Sequence, residues 1–319
     1  MMKVFLIGSG CSYGTLSFRP GCAPLAKMFG QHLSPTGYPE LAKVAKHLGR
    51  DLSDLGMEDL WSCIDYYAKF AGSDGFLPDP RWHRQLAVVE LKKALLFLYG
   101  SRCEEAARRI GKSTKCTLVD LLRKRVRAGD VIVSFNYDTL VERLARKLGL
   151  KLTHCEGRPP KHKVKFVKPH GSVSWRLGDP PVSLPAAPLL NSLEEAAVEQ
   201  GKLVTEPLVL GAVPIKSELI REVQCCYGTT EVFTVVMHQW QAVVEAVREA
   251  DSVVVVGYSF PKEDQYGRFL FQEAVRQRNK VLRRVEYYNT DRKSEAVIRE
   301  IFGSGTKVVW KGSVRRPLR

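Results

Sequence analysis

The chain has 319 residues, of which 45% are hydrophobic and 26% are charged, and its 49 Lys and Arg against 34 Asp and Glu give a formal net charge of +15. This apolar fraction can bury a core, which excludes a disordered or low-complexity chain. No apolar run approaches the roughly 18 residues that span a bilayer, so we expect a soluble, cytoplasmic protein without a membrane partner.

The positive charge is concentrated in two segments. Residues 143–168 carry 9 basic residues against 1 acidic residue, and residues 271–319 carry 13 against 5. Such segments attract polyanions such as nucleic acid. A solvated basic face without a specific partner explains the same pattern, so both interpretations stay open. The eight cysteines include no C-x-x-C pair, which predicts reduced thiols rather than a zinc ribbon or a disulfide framework.

Short β-branched or apolar runs predict strands that are buried on both faces, as in a parallel sheet covered by helices. They are Val4–Ile7, Val131–Phe135, Val253–Val256 and Val285–Tyr288, with a weaker run, interrupted by lysines, at Val164–Val167. Amphipathic helical patterns follow Asp138 and precede Val253. This alternation predicts an α/β fold of the Rossmann-like type, a doubly wound parallel sheet.

Residues from about 23 to 122 lack strand patterns and show helical ones instead. We therefore expect a single α/β domain over residues 1–319 with a helical module inserted after the first βα unit. The proline-rich segment Leu177–Leu190 predicts an irregular surface loop.

Small or polar residues follow each predicted strand, where ligands of open parallel sheets bind. These segments are Gly8-Ser9-Gly10-Cys11-Ser12, Asn136-Tyr137-Asp138, Lys168-Pro169-His170-Gly171-Ser172, Gly257-Tyr258-Ser259-Phe260 and Asn289-Thr290-Asp291. Gly8 and Gly10 allow a sharp turn that brings N–H groups up to a phosphate. Their spacing to Gly14 does not match the G-x-G-x-x-G pattern of dehydrogenases, and a purely structural turn remains an alternative.

Asn136, Asp138 and His170 are the candidate catalytic residues. A neutral imidazole accepts a proton from a ribose hydroxyl or water near neutral pH, and an amide orders a nucleophile or a sugar hydroxyl without adding charge. The combination suits cleavage of a glycosidic bond. For Asp138 a helix cap, and for His170 a structural role, remain the alternatives.

Together these segments resemble the sirtuin superfamily, and its sirtuin-like NAD hydrolase branch more closely than the protein deacylases. The matching pieces, in chain order, are Gly8-Ser9-Gly10-Cys11-Ser12, Phe135-Asn136-Tyr137-Asp138-Thr139-Leu140, Pro169-His170-Gly171-Ser172, Gly257-Tyr258-Ser259-Phe260-Pro261 and Asn289. They span nearly the whole chain. The four zinc-binding cysteines of deacylating sirtuins are not matched, because only Cys225 and Cys226 follow His170.

The resemblance implies an enzyme that binds NAD+ as its substrate, without a metal, and hydrolyses it to nicotinamide and ADP-ribose. It implies that Asn136 orients water or the ribose, that His170 is the general base and that Asp138 supports Asn136 and the ribose from the same loop. The implied residues along the pyrophosphate and adenosine are Gly8, Ser9, Gly10, Ser12, Gly257, Ser259 and Asn289.

Related hydrolases often act in antiviral defence by depleting NAD+, so we expect a low basal rate that rises on homo-oligomerisation or on binding of a regulatory protein. Two other functions stay open. One is an NAD- or ADP-ribose-binding module that acts through nucleic acid or protein partners, which the basic segment Arg315–Arg319 favours. The other is a zinc-less protein deacylase or ADP-ribosyltransferase, which shares the first chemical step.

Overall fold

The structure, a computed structural model, describes residues 1–16, 25–70, 81–110, 116–154, 158–173, 208–209, 230–262, 264–290 and 292–314. The predicted loop at Leu177–Leu190, the residue Asp291 and the basic segment Arg315–Arg319 lie outside these residues.

Seven parallel strands form the central sheet in the order β3-β4-β2-β1-β7-β8-β9. They are β1 (Lys3–Ile7), β2 (Val131–Ser134), β3 (Leu152–Thr153), β4 (Val164–Val167), β7 (Ser252–Val256), β8 (Arg284–Tyr288) and β9 (Lys307–Gly312). A separate antiparallel pair joins β5 (Gly171–Ser172) to β6 (Leu208–Val209). The chain winds from β1 to one side and returns to β7 on the other, so the topological switch point lies between β1 and β7. The prediction of a doubly wound α/β fold is confirmed.

Helices cover both faces of the sheet, because successive strand residues point to opposite sides. Phe5 and Ile7 belong to one core, and Val4 and Leu6 belong to the other. The first core is covered by α1 (Ser9–Leu16), α2 (Pro39–His47), α3 (Met57–Phe70), α4 (Arg84–Leu95), α5 (Arg102–Arg109), α6 (Thr117–Lys124) and α7 (Leu140–Lys147). The second is covered by α8 (Thr230–Glu249), α9 (Gln265–Arg276) and α10 (Ser294–Phe302).

Helices α2 to α6 lie between β1–α1 and β2 in the chain, and they pack on the first face of the sheet. Two short 3₁₀ turns, Ala26–Met28 and Gly30–His32, precede α2, and a third, Leu52–Asp54, lies between α2 and α3. A π-helical segment, Leu96–Ser101, joins α4 to α5. In its described part, the region from residue 25 to residue 124 contains no strand.

Two strands of the sheet were not predicted. Strand β3 has only two residues, and β9 has only three consecutive apolar residues, Val308–Trp310, between Lys307 and Lys311, so both patterns are too short to stand out. The weaker prediction at Val164–Val167 is confirmed as β4. Within the described part of the chain, no helix is long and apolar enough to cross a membrane.

Candidate active site at the carboxyl edge of the sheet

A cavity of about 790 Å³ opens at the carboxyl edge of the sheet, across the switch point. Its volume lies in the usual range for small-molecule sites. From β4 to β8 the sheet has four strand spacings of about 4.8 Å, roughly 19 Å in all, so the cavity suits an elongated ligand. All predicted site residues except Gly8 line it: Ser9, Gly10, Ser12, Asn136, Asp138, His170, Gly257, Ser259 and Asn289.

The glycines after β1 and β7 pack against each other. A Cβ atom on Gly8 would lie 2.6 Å from the Gly257 carbonyl oxygen, and one on Gly10 would lie 2.8 Å from it. The Gly8 and Gly10 N–H groups donate to the carbonyls of Val256 and Gly257, both over 3.0 Å. Glycine is therefore required here for the close approach of two loops, while these two N–H groups already have protein partners.

Asn136 and Asp138 are joined through the hydroxyl of Ser12. The Asn136 Nδ2 donates to Ser12 Oγ over 2.8 Å, and Ser12 in turn hydrogen-bonds to Asp138. Asp138 also accepts the Leu140 N–H over 2.9 Å, at the start of α7. Burial raises the pKa of Asp138, while the Lys168 charge and these hydrogen bonds act in the opposite direction.

The Asn136 Oδ1 atom is buried and accepts no hydrogen bond within the described part of the chain. A buried acceptor without a partner is costly, so native proteins rarely keep one. Because Asn136 lines the cavity, we expect a ligand hydroxyl or a water molecule to donate a hydrogen bond to this oxygen.

His170 lies in an aromatic environment and faces a buried carboxylate. Its ring is 5.4 Å from Phe135 and 5.7 Å from Trp240, measured between ring centroids. The His170 Nε2 is 3.3 Å from Asp264 Oδ2, and both side chains are at most 5% exposed. The Tyr258 hydroxyl donates to the same carboxylate oxygen over 2.7 Å. Burial, followed by Asp264, raises the pKa of Tyr258 well above its ordinary value, so this phenol stays protonated.

A fully buried lysine holds the His170 loop to the Asn136 loop. The Lys168 Nζ donates to the Asp138 carbonyl over 2.6 Å, to Glu142 Oε1 over 2.8 Å and to Ser172 Oγ over 2.9 Å. A charge without solvent requires such full compensation. The contacts fix the loop after β4 against α7 and the loop after β2.

The far end of the cavity, beyond β8, is polar and basic. Asn289 donates through Nδ2 to Ser294 Oγ over 2.7 Å and accepts the Thr290 N–H at Oδ1 over 2.8 Å. Lys293 and Ser294 line the same end, at the start of α10. The Asn289 side chain thus shapes the loop, and the neighbouring Lys293 supplies positive charge.

The helical region contributes the wall opposite the sheet. Tyr99, from the π-helical segment, lines the cavity and makes an edge contact with Tyr137, with ring centroids 5.9 Å apart. Burial, followed by the Glu58 charge, raises the pKa of Tyr99 and of Tyr137. Glu58 also lines the cavity, so this end combines aromatic rings with a carboxylate.

No group of three or more His, Cys, Asp or Glu side chains in the described ranges is placed to hold a metal ion.

Sequence reasoning missed Lys168 as a structural tie and Asp264 as the partner of His170. Lys168 stands in the predicted segment after β4, but a lysine in such a loop indicates a surface residue. Asp264 precedes a helix and shows only the signal of a cap, and its Oδ1 does accept the Gly267 N–H in the first turn of α9.

No protein-family model matches the sequence. No curated protein matches it either. Among solved structures, the chain is similar to one described as "Structural Basis for the Mechanism and Regulation of Sir2 Enzymes", with a TM-score of 0.30 and 11% identity over 98% of this chain and 87% of that chain. At this level the similarity supports no conclusion about activity.

Proposed function

We propose that the chain cleaves the N-glycosidic bond of NAD+ in the cavity at the carboxyl edge and transfers the ADP-ribosyl group to water. The observation that carries the proposal is Asn136, which lines the cavity and whose buried Oδ1 accepts no hydrogen bond in the described part of the chain. His170 lines the same cavity, so a bound ligand would have both an amide and an imidazole beside it.

The two ends of the cavity suit the two ends of NAD+. The Glu58 carboxylate and the rings of Tyr99 and Tyr137 would face the cationic nicotinamide ring. The Lys293 ammonium group and the start of α10, at the other end, would face the phosphate and adenosine.

The residues supply proton transfer and positioning. The bond between C1′ and the pyridine nitrogen breaks with its electron pair going to nicotinamide, which leaves as a neutral molecule. A water oxygen bonds to C1′, Asn136 Oδ1 orients this water or the ribose hydroxyl, and His170 accepts the released proton. No strong general acid is needed, because the leaving group already carries a positive charge.

The test is incubation of the protein with NAD+ and chromatographic measurement of nicotinamide and ADP-ribose. We expect equal amounts of the two products, with Asn136→Ala and His170→Ala each lowering the rate about 10²-fold or more. Asn279→Ala and His162→Ala are matched controls, because both residues are exposed and precede β8 and β4, at the opposite edge. Unchanged rates in the two cavity variants would refute the assignment.

The same assay distinguishes hydrolysis from the deacylase and transferase reactions, which also begin with the release of nicotinamide. Nicotinamide that appears only with an acylated peptide would indicate a deacylase, and ADP-ribose found on protein rather than in solution would indicate a transferase. Hydrolysis would deplete NAD+, which is the route by which such an enzyme would serve in antiviral defence. A rate that increases with protein concentration would indicate activation by self-association.

A second candidate function, binding of nucleic acid, is favoured by the amino edge of the sheet. Basic residues lie at or just before the first residue of most strands: Lys3, Arg127, Lys151, Lys163, Arg283, Arg284 and Lys307. The acidic residues at the same edge are Asp130 and Asp251. Asp130 is buried, and its carboxylate accepts the backbone N–H groups of Lys3 and Arg127. A positive edge opposite the cavity can hold a polyanion without blocking the cavity.

Charge reversal at this edge tests nucleic-acid binding. We expect the double variant Lys151→Glu, Lys163→Glu to bind duplex DNA about tenfold more weakly at low salt in fluorescence anisotropy, with a smaller salt dependence. Equal affinity of the variant and the unchanged protein would exclude this edge as the binding surface.

A further inference from the structure

Asp264 is a buried carboxylate whose two oxygens have different partners. Oδ1 accepts the Gly267 N–H over 3.3 Å, which is the ordinary contact of a helix cap at the start of α9. Oδ2 accepts the Tyr258 hydroxyl over 2.7 Å and lies 3.3 Å from His170 Nε2. The residue is fully buried, and a cap alone would not require its second oxygen to face an imidazole.

Asp264 stands behind His170 as seen from the cavity. His170 lines the cavity, whereas Asp264 is not among the lining residues. The carboxylate therefore contacts the imidazole and not the ligand. A residue in this position acts through the histidine.

We infer that Asp264 is the positioning residue of His170, and that it fixes the imidazole in the tautomer whose N–H is on Nε2. This role rests on the proposed function, in which His170 accepts a proton. A neutral imidazole carries one N–H, so donation from Nε2 to Asp264 puts the lone pair on Nδ1. Nδ1 is then the atom that accepts the proton released from water or from a ribose hydroxyl.

The surroundings of Asp264 supply hydrogen-bond donors to its carboxylate and hold it in place. The Tyr258 hydroxyl and the first turn of the 12-residue helix α9 both stabilise a negative charge at this place. Tyr258 is itself held by stacking on Phe135, with ring centroids 4.0 Å apart. A fixed carboxylate stabilises the imidazolium ion that forms when Nδ1 takes the proton.

Several titratable or charged groups surround the imidazole. Asp264 comes from the start of α9, Tyr137 from the loop after β2, and Tyr258 from the loop after β7. Lys168 and Asp138 join the two adjoining loops by a hydrogen bond, and the charge of Glu58, from α3, acts on Tyr137. Among them, Asp264 is the carboxylate for which a contact with the imidazole is established.

The test is the variant Asp264→Asn, which retains a good helix cap while it removes the charge. We expect a fall in kcat on the order of 10²- to 10⁴-fold with little change in the affinity for NAD+ measured by equilibrium binding. The acidic limb of the pH–kcat profile moves to lower pH, because the imidazolium loses its negative neighbour. Asp130→Asn is the matched control, since Asp130 is also buried but lies at the opposite edge of the sheet, and we expect its kcat to be unchanged.

A measurement without turnover keeps this inference separate from the proposed function. Nitrogen-15 NMR of the unmodified protein should show His170 protonated at Nε2, and the pH midpoint of its ring signals should fall in Asp264→Asn. A histidine protonated at Nδ1, or a midpoint that does not move in a folded variant, would overturn the role of Asp264. If the tautomer is as expected but NAD+ is not cleaved, the proposed function fails while the positioning of His170 stands.

Discussion

Ser12, from α1, is more than 120 residues away in sequence from Asn136 and Asp138, in the loop after β2, yet the three side chains form one hydrogen-bonded row. Ser12 gives its only hydroxyl proton to Asp138, so it accepts from the Asn136 amide. This arrangement sets the orientation of the amide and leaves Asn136 Oδ1 without a partner in the described part of the chain. The single hydroxyl proton of Ser12 therefore determines the direction of both hydrogen bonds and the orientation of the Asn136 amide.

Asp138 gives a prediction about pH. Because burial places its pKa in the folded protein above the ordinary value of 3.8, its ionisation destabilises the fold as pH rises through and above that value. Asp138→Asn keeps an acceptor for the Leu140 N–H and does not ionise. We expect the free energy of unfolding of the variant, relative to the unmodified protein, to increase as the pH is raised from 3 to 7 in urea titrations. A relative stability that falls over this range would contradict the prediction.

Gly257 gives a prediction about packing. It has a φ of +62°, and a Cβ atom there would lie 2.1 Å from the Cys11 nitrogen. We expect Gly257→Ala to lower the free energy of unfolding by about 3 kcal/mol or more, from overpacking together with backbone strain. Gly49 has a similar φ of +68° but nothing within 4 Å of such an atom, so Gly49→Ala should cost only about 1 kcal/mol. Equal losses in urea unfolding would show that loop contact is not the reason for Gly257.

The candidate site was only partly predictable at this scale. Asn136 and His170 could be proposed because polar residues after buried strands converge at one edge of a parallel sheet. The pairing of His170 with Asp264 could not be predicted, because it depends on how aromatic rings pack between segments that are far apart in the sequence. Their roles in catalysis stay predictions until the variants are measured.

At the scale of elements, Lys168 holds the loop after β4 against α7 and the loop after β2. Removing one member of a buried ion pair leaves the other charge uncompensated. We expect Lys168→Met to lower the free energy of unfolding by about 3–5 kcal/mol. The double variant Lys168→Met, Glu142→Leu should lose less than the sum of the single variants, because no isolated charge remains.

The control for this cycle is Lys163→Met, at a partly exposed position directly before the first residue of β4. We expect this variant to change the free energy of unfolding by no more than about 0.5 kcal/mol. Strictly additive losses in the double variant would show that Lys168 and Glu142 are not energetically coupled.

The elements themselves were predicted in proportion to their apolar patterns. The runs at Val4–Ile7 and Val253–Val256 correspond to β1 and β7, which lie at the centre of the sheet and are covered on both faces. The edge strands β3 and β9 escaped prediction because an edge strand needs less apolar sequence. A helical pattern could be recognised as far as Tyr99, but it does not distinguish the π-helical segment that brings Tyr99 to the cavity from an ordinary α-helix.

At the scale of the whole molecule, the winding of the sheet separates two surfaces. The loops that follow the strands enclose the cavity, and the basic residues that precede the strands lie at the other edge. A doubly wound order could be inferred from alternating patterns, but the neighbours of each strand could not. Strand order depends on contacts between segments that are far apart in the chain, such as β1 with β7.

The most direct measurement is a crystal structure of the His170→Ala variant soaked with NAD+, since this variant should bind the dinucleotide without cleaving it. We expect the nicotinamide ribose to lie within hydrogen-bonding distance of Asn136 Oδ1, with the adenosine toward Asn289 and Lys293. A dinucleotide bound elsewhere, or bound in the cavity with its nicotinamide ribose away from Asn136, would contradict the account.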